Sequence, residues 1–345
     1  MSAVRLFTRC DSGDRVFTIN CGFEDHHMKS VAFTISSKEN ERRRALLPGD
    51  LAQVCNSGFV FLEQGYGEVL GIADEEYRKA GAQVVPRHDA FKKDIICTMK
   101  APEADERELL QHGQTVFGWI HAVQGREITD FLCERGMSAV AWEDMFEDGE
   151  HVFWRNQELA GEAAIYHSML HLGRSPEECN AAIIGRGQCA RGAFRALSRL
   201  GARIRVYTRV TVHNLRNHLH EYDMIVNAVL WDISRNDRII YREDLKRMRP
   251  GSMIVDISCD TALEIETSRA TTIADPVYTV DGIIHYAVDH APAILHRSVS
   301  PSISKAICKY IDPLIQGSPN KVLGDATVIK DGVIIDHRIK QFQKR

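Results

Sequence analysis

The amino-acid sequence predicts an α/β protein built on mainly parallel, doubly wound sheets. Three observations point there. Short apolar runs alternate with helical stretches from Val31 to Leu172, the pattern of strands joined by crossover helices. The apolar run Ala181 to Ile184 feeds a glycine turn and a helix, and the strand Arg203 to Thr208 closes a strand–helix–strand unit. A length of 345 residues, with 44% hydrophobic and 26% charged residues, leaves room for two ordinary globular domains.

The first 30 residues carry no convincing period and read as an added N-terminal segment, with Met28 an alternative start. His26 and His27 lack a partner at metal-ligand spacing. A domain begins at the strand Val31 to Ile35 and passes through the charged loop Lys38 to Pro48. The pattern then predicts a helix at Pro48 to Ser57, a strand at Gly58 to Leu62, a helix at Asp74 to Ala80, and strands at Gln83 to Val85 and Asp94 to Met99. Next come the strand Gly113 to His121, the helix Gly125 to Arg135 and the strand Met137 to Trp142. A long helix, Asn156 to Leu172, crosses between domains; His167 and His171 are four apart on it, with no third ligand in sight. Further strands are expected at Met224 to Ala228, Met253 to Ile257 and Thr271 to Ala274, then a helix at Ser300 to Leu314. A hairpin at Thr327 to Ile335 turns on Asp331-Gly332.

The turn Gly185-Arg186-Gly187-Gln188-Cys189 follows a strand and opens a helix. Its first glycine permits the tight turn, its second lets a pyrophosphate approach the backbone, and the N–H groups of the helix start attract negative charge. A dinucleotide is the expected ligand. An acid about 20 residues after the first glycine would bind the ribose of NAD; here stand Thr208 and Arg209. A hydroxyl and a guanidinium suit a 2′-phosphate, so NADP(H) is expected over NAD. Asn227, Ala228, Ser258, Asp260 and Asp275 follow the later strands and fall on the cofactor side if those strands are parallel. The plain alternative is a strand–helix–strand unit with a surface arginine.

A net charge of −4 gives no general attraction to nucleic acid, and no stretch is long and apolar enough to cross a membrane. Nine cysteines, without a Cys-x-x-Cys pair, fit reduced thiols in a cytoplasm. Cys189 is read as a small residue filling the turn rather than a reactive thiol. The chain shows no metal motif.

A cofactor domain holds no substrate information, so the first 150 residues must supply the chemistry. Lys100 follows the apolar strand ending at Met99, His121 ends the strand Val116 to Ile120, and Arg42, Arg43 and Arg44 lie in the loop after the first strand. Each alone suits a solvated surface; their shared placement after strands suggests a site.

The loop Glu41 to Pro48, the segment Met99-Lys100-Ala101-Pro102 and Ile120-His121-Ala122 resemble the alanine dehydrogenase and saccharopine dehydrogenase superfamily. So do Asn156-Gln157-Glu158-Leu159-Ala160-Gly161-Glu162, Val288-Asp289-His290-Ala291-Pro292 and the ending Asp331 to Asp336. The resemblance runs from Val31 to Arg345. It implies two Rossmann-like domains flanking an inter-domain cleft. The first is discontinuous, a substrate domain of residues 31–150 and 290–345; residues 151–289 form the NADP-binding domain. It implies that Arg43 binds a substrate carboxylate, that Lys100 and His121 form the catalytic pair, that Asp260 lies near nicotinamide and substrate, and that Arg297 closes the cleft. The three arginines leave the first assignment open by one position. Within the superfamily the expected reaction joins a 2-oxo acid, pyruvate, to the side-chain amine of ornithine or lysine through an imine reduced by NADPH. Asp289 and His290 stand where the amino acid's ammonium would bind. Alanine dehydrogenase chemistry, saccharopine-type chemistry and a catalytically silent NADPH-binding protein are the alternatives. A homodimer or homotetramer is expected.

Overall fold

A computed structural model describes residues 28–229, 235, 237–259 and 263–345. The first half runs β1 (Val31–Phe33), α1 (Pro48–Leu51), β2 (Val60–Glu63), α2 (Asp74–Lys79), β3 (Gln83–Val85), α3 (Arg87–Ala90) and β4 (Ile95–Thr98). It continues through α4 (Ala104–Leu109), β5 (Thr115–Gly118), α5 (Arg126–Glu134), β6 (Ser138–Ala141) and the small hairpin β7 (Phe146–Glu147) and β8 (Glu150–His151). The 19-residue α6 (Trp154–Leu172) leads into β9 (Asn180–Ile184), α7 (Gln188–Arg199), β10 (Arg203–Tyr207), β11 (Met224–Asn227), β12 (Met253–Asp256), β13 (Val277–Val280) and β14 (Ile283–Tyr286). The 21-residue α8 (His296–Gln316), α9 (Lys321–Asp325), β15 (Thr327–Lys330), β16 (Val333–Ile334) and α10 (His337–Gln343) complete the chain.

These elements form two α/β domains. One sheet has the order β16-β15-β6-β5-β4-β1-β2-β3, parallel from β3 to β6, with β15 antiparallel to β6 and to β16. The other is β10-β9-β11-β12-β14-β13, parallel except for the last pair. Parallel strands covered on both faces are apolar throughout, and β1, β4, β11 and β12 are buried at every position. The first sheet reverses direction between β1 and β4, the second between β9 and β11. Ligands of doubly wound sheets bind beyond the strand ends at such reversals. Beyond β1 and β4 lie the 38–48 loop and Lys100; beyond β9 and β11 lie Gly185 and Ala228.

Two helices tie the halves together. On α8, Val299, Ile303, Ile307 and Ile311 recur every fourth residue, so one helix face enters the core that holds Val31, Phe33 and Leu62. Its Ser300 and Ser304 hydroxyls accept the backbone N–H groups of Arg44 at 2.9 Å and Leu47 at 2.8 Å. Helix α6 lies against α7 at a pair of glycines. A Cβ on Gly192 would sit 1.9 Å from the Glu158 carbonyl oxygen, and one on Gly161 would sit 2.0 Å from that of Cys189.

Several elements depart from the sequence pattern. The helix predicted over Pro48 to Ser57 stops at Leu51, and the N–H groups of Cys55 and Asn56 instead bond the Asp312 carboxylate, both at 2.9 Å. The strand predicted through His121 ends at Gly118. Thr271 to Ala274 is not a strand; Thr271 makes only an isolated bridge to Val288. The sheet edge is instead the β13–β14 hairpin, turning on Asp281 and Gly282 at φ 49° and 82°. The predicted Asp331-Gly332 turn has nearly the same geometry, φ 48° and 76°, and joins β15 to β16. Among the described residues no helix is long and apolar enough to cross a membrane. Gly192→Ala is expected to destabilise the fold on the scale of overpacking, about 3 kcal/mol, read as a lower thermal-unfolding midpoint. An unchanged midpoint would contradict the close crossing of α6 and α7.

Candidate active site

The cofactor half of the site is a backbone cradle. Gly185 has φ 117°, a conformation open to glycine, and a Cβ there would lie 2.7 Å from the Ala228 carbonyl oxygen. Gly187 caps α7 without a side-chain hydrogen bond, and no acid stands in the first turn. The orphan N–H groups of that turn therefore meet no competing side chain or charge, which fits a pyrophosphate. Burial pushes the Cys189 thiol up to about 11, so it stays protonated and fills space. Gln188 accepts from the Arg191 guanidinium at 3.1 Å, while Arg186 is exposed on the turn. Thr208 accepts and donates locally with Thr211 after β10, beside exposed Arg209. Asn227 is fully buried and donates its amide to Asp256 at 2.9 Å; Ser258 donates to the Val229 carbonyl at 2.5 Å. Their side chains brace the strand ends. Asp260 lies outside the described residues.

Across the cleft, the three arginines separate clearly. Arg42 is exposed. Arg44 is buried against the Tyr66 ring and donates to the backbone carbonyls of Tyr66 and Arg43. Arg43, only 2% exposed, lies over the Trp119 ring at 5.1 Å. It donates through Nε to Glu41 Oε1 at 2.8 Å, through Nη2 to Glu41 Oε2 at 2.5 Å and through Nη1 to Asn156 at 3.2 Å. Burial works against the Glu41 charge, but the Arg43 guanidinium outweighs it and holds the carboxyl below its ordinary range.

Lys100 is 9% exposed; its Nζ donates to the Asp289 carbonyl at 3.4 Å and lies 3.9 Å from Asp289 Oδ2. Burial lowers its pKa from the ordinary lysine value; Asp289 opposes the shift and Arg43 adds to it. His121 stands open to the cleft with a left-handed backbone, φ 51°. Enclosure by the surrounding protein, with the charges of Lys100 and Arg43 adding to it, lowers its pKa to about 3 against the pull of Asp289. Both groups are thus biased toward their neutral, proton-accepting forms. Asp289 also pairs with Lys38 at 3.2 Å and with His290 Nδ1 at 2.6 Å. Burial alone would raise its pKa, yet the His290 hydrogen bond and the two lysines hold it well below the carboxylate range. His290 reaches the Glu39 carbonyl oxygen through Nε2 at 2.5 Å.

The structure therefore gathers Arg43, Lys100, His121, Asp289 and His290, and leaves Arg297 exposed on the first turn of α8. Glu41, Asn156, Trp119 and Lys38 complete the cluster, although the sequence pattern assigned them no role. Glu41 had a usable signal, an acid two residues before the arginine it pairs with. His167 instead meets the Tyr286 hydroxyl at 3.2 Å, and the described residues contain no group of three or more His, Cys, Asp or Glu able to hold a metal ion.

A dinucleotide-type glycine turn in one doubly wound domain, with Arg43, Lys100 and His121 gathered beyond the strand ends of the other, is the arrangement of a two-domain oxidoreductase. The chain belongs to the alanine dehydrogenase/PNT family, matching the description of its N-terminal domain over residues 36–153 and of its C-terminal domain over 207–341. It is thereby a nicotinamide-dinucleotide-dependent enzyme, of the oxidoreductase class acting on CH–NH bonds. It is 31% identical to an N(5)-(carboxyethyl)ornithine synthase of Clostridium botulinum over 81% of this chain and 93% of the relative. It is 24% identical to alanine dehydrogenase 1 of Staphylococcus aureus, covering 88% and 92%. A solved L-alanine dehydrogenase shares the fold with TM-score 0.76 at 23% identity, covering 91% of this chain and 99% of that one.

The folded His121 ring stays neutral while an unfolded one takes up a proton near pH 6.5, so its contribution to stability falls as the pH drops below that value. Its imidazole NMR signals are expected not to titrate between about pH 5 and 8. A midpoint near 6.5 would contradict the enclosed site.

Proposed function

We propose that the chain catalyses the NADPH-dependent reductive condensation of a 2-oxo acid, pyruvate, with the side-chain amine of ornithine or lysine, giving an N-(carboxyethyl) amino acid. The observation that carries this reading is the placement of Arg43, Lys100 and His121 around Asp289, in a chain that is 31% identical to a carboxyethylornithine synthase and also holds the glycine turn. The cradle at Gly185 to Cys189 holds the dinucleotide pyrophosphate, and Thr208 with Arg209 recognises a 2′-phosphate. The bound cofactor supplies the hydride.

The protein's own groups do the rest. A guanidinium has five N–H donors. The contacts to Glu41 and Asn156 engage three of them, leaving one on each terminal nitrogen to hold the 2-oxo acid carboxylate and orient its carbonyl carbon. An attacking amine must be neutral, although an unperturbed one has a pKa of about 10.4. Lys100, whose charged form burial disfavours, accepts that proton. His121, neutral at working pH, moves the proton to the carbinolamine oxygen as water leaves. Asp289 receives the ammonium of the amino-acid partner, while His290, buried with both ring nitrogens engaged, braces it.

NADPH oxidation is expected only when pyruvate and ornithine, or pyruvate and lysine, are both present, with the N-(carboxyethyl) product visible by mass analysis. Oxidation with pyruvate and ammonia alone would favour the alanine dehydrogenase reading, which the Staphylococcus aureus relative supports. Thr208→Asp should lower kcat/KM for NADPH relative to NADH by roughly 10- to 100-fold, the scale of a lost charge-assisted hydrogen bond. An unchanged ratio would remove the 2′-phosphate assignment.

A further inference from the structure

We propose that Glu143 is the positioning residue of His121, holding its backbone, and so its ring, at the cleft. The inference rests on the reading of His121 as catalytic.

Strand β5 pairs with β6 as far as Gly118 opposite Ala141. Past that point the chain leaves the sheet, and the N–H groups of Ile120 and His121 lose their ladder partners. The Ile120 amide is part-buried, and leaving it without a partner would be costly. Glu143 lies in the short 3-10 turn Trp142–Asp144 that directly follows β6, beside the end of β5. Its two carboxylate oxygens take one amide each: Oε2 accepts from Ile120 at 3.2 Å and Oε1 from His121 at 2.5 Å. One side chain thus replaces two rungs of the ladder.

The conformation it holds is unusual. His121 has φ 51°, a left-handed region uncommon for residues other than glycine, though asparagine, aspartate and histidine enter it more readily than most; it costs on the order of 1–3 kcal/mol. Such strain persists only where the surroundings over-determine it. Several contacts fix the carbonyl side of this turn: the His121 carbonyl accepts from Gly125 at 2.9 Å, and the Ala122 carbonyl accepts from Thr129 at 2.9 Å and Gln343 at 2.7 Å. Glu143 fixes the amide side. The carboxyl is itself under stress, since burial and then the Asp144 charge push it up to about 7 against the two amide bonds.

The test compares the full-length protein with Glu143→Ala, Glu143→Gln, His121→Ala and the Glu143→Ala/His121→Ala double variant. Glu143→Ala should lose roughly 10- to 100-fold in kcat, the scale of a misplaced catalytic group, with KM for NADPH and pyruvate within about two-fold. Glu143→Gln keeps a carbonyl acceptor for one amide and should recover part of the loss. The double variant should be no slower than His121→Ala alone, because the positioning of an absent ring costs nothing. Independently of turnover, the His121 ring signals in long-range 15N-correlated NMR should shift in Glu143→Ala and move part of the way back in Glu143→Gln. Unchanged kcat in a folded Glu143→Ala, additive losses in the double variant, or unmoved ring signals would each overturn the proposal. If the unaltered protein turned over none of the substrate pairs, the reaction assignment would fail while the ring signals still decided the role of Glu143.

Discussion

The site depends on a chain of polar contacts that joins the two domains through Asp289. It begins in the cofactor domain, where the N–H groups of Ile273 and Ala274 donate to the Glu39 carboxylate at 3.2 and 3.1 Å. Glu39 belongs to the loop after β1 in the other domain, and its carbonyl oxygen meets His290, whose second nitrogen meets Asp289. Asp289 then pairs with Lys38 and approaches Lys100. All of these links except the exposed Ala274 contact are partly or wholly withdrawn from water, where a polar group without its partner is expensive. The loop that carries Arg43 is therefore fixed by the same contacts that set one domain against the other.

The charges inside this junction are arranged to be neutralised before substrate arrives. Arg43 is matched by Glu41 in a two-point pair and padded by the Trp119 ring, so a cation is held at 2% exposure without an unpaired carboxylate beside it. Breaking one partner of such a pair typically costs 3–5 kcal/mol, so Glu41 is what allows the Arg43 guanidinium to sit buried there. The guanidinium keeps donors to spare because a planar five-donor fork can be anchored along one edge and still offer another. A lysine in its place would meet Glu41 but present no fixed second pair.

Much of this was legible in the primary structure, and the gaps have physical causes. The glycine turn, the strand–helix–strand unit and the positions of Lys100 and His121 after strands follow from backbone periodicity, and the structure carries each of them. Periodicity failed where side chains overrule it. Asp312 takes the amides that would have continued the helix past Leu51, although it is more than 250 residues away in sequence. The strand expected at Thr271 to Ala274 has the right composition, but the Asp281-Gly282 turn two strands' length further on decides which residues pair. That dipeptide was as readable as the Asp331-Gly332 turn. Glu143 was not readable at all, because its task is set by where β5 and β6 end and not by any local spacing. Among the arginines, only three-dimensional contacts separate Arg43 from Arg44, whose guanidinium is spent on Tyr66.

The lowered pKa of Lys100 is a property of the junction rather than of the lysine. Its largest cause is burial, and the opposing one is the Asp289 charge; the second exists only while the segment after β14 lies beside Lys100. Lys100 comes from the domain of the first sheet, Asp289 from the segment that follows β14 of the second, and the Glu39–His290 contacts hold the two together. Separating the domains would admit water to the ammonium and remove its counter-ion at once. The two changes push the proton affinity in opposite directions, and burial being the larger, the net drift is back toward an ordinary lysine. The lowered proton affinity of Lys100 is thus tied to the contacts between the two domains. The shifted proton affinity of the side chain and the anchoring of the loop after β1 therefore share the same partner, Asp289.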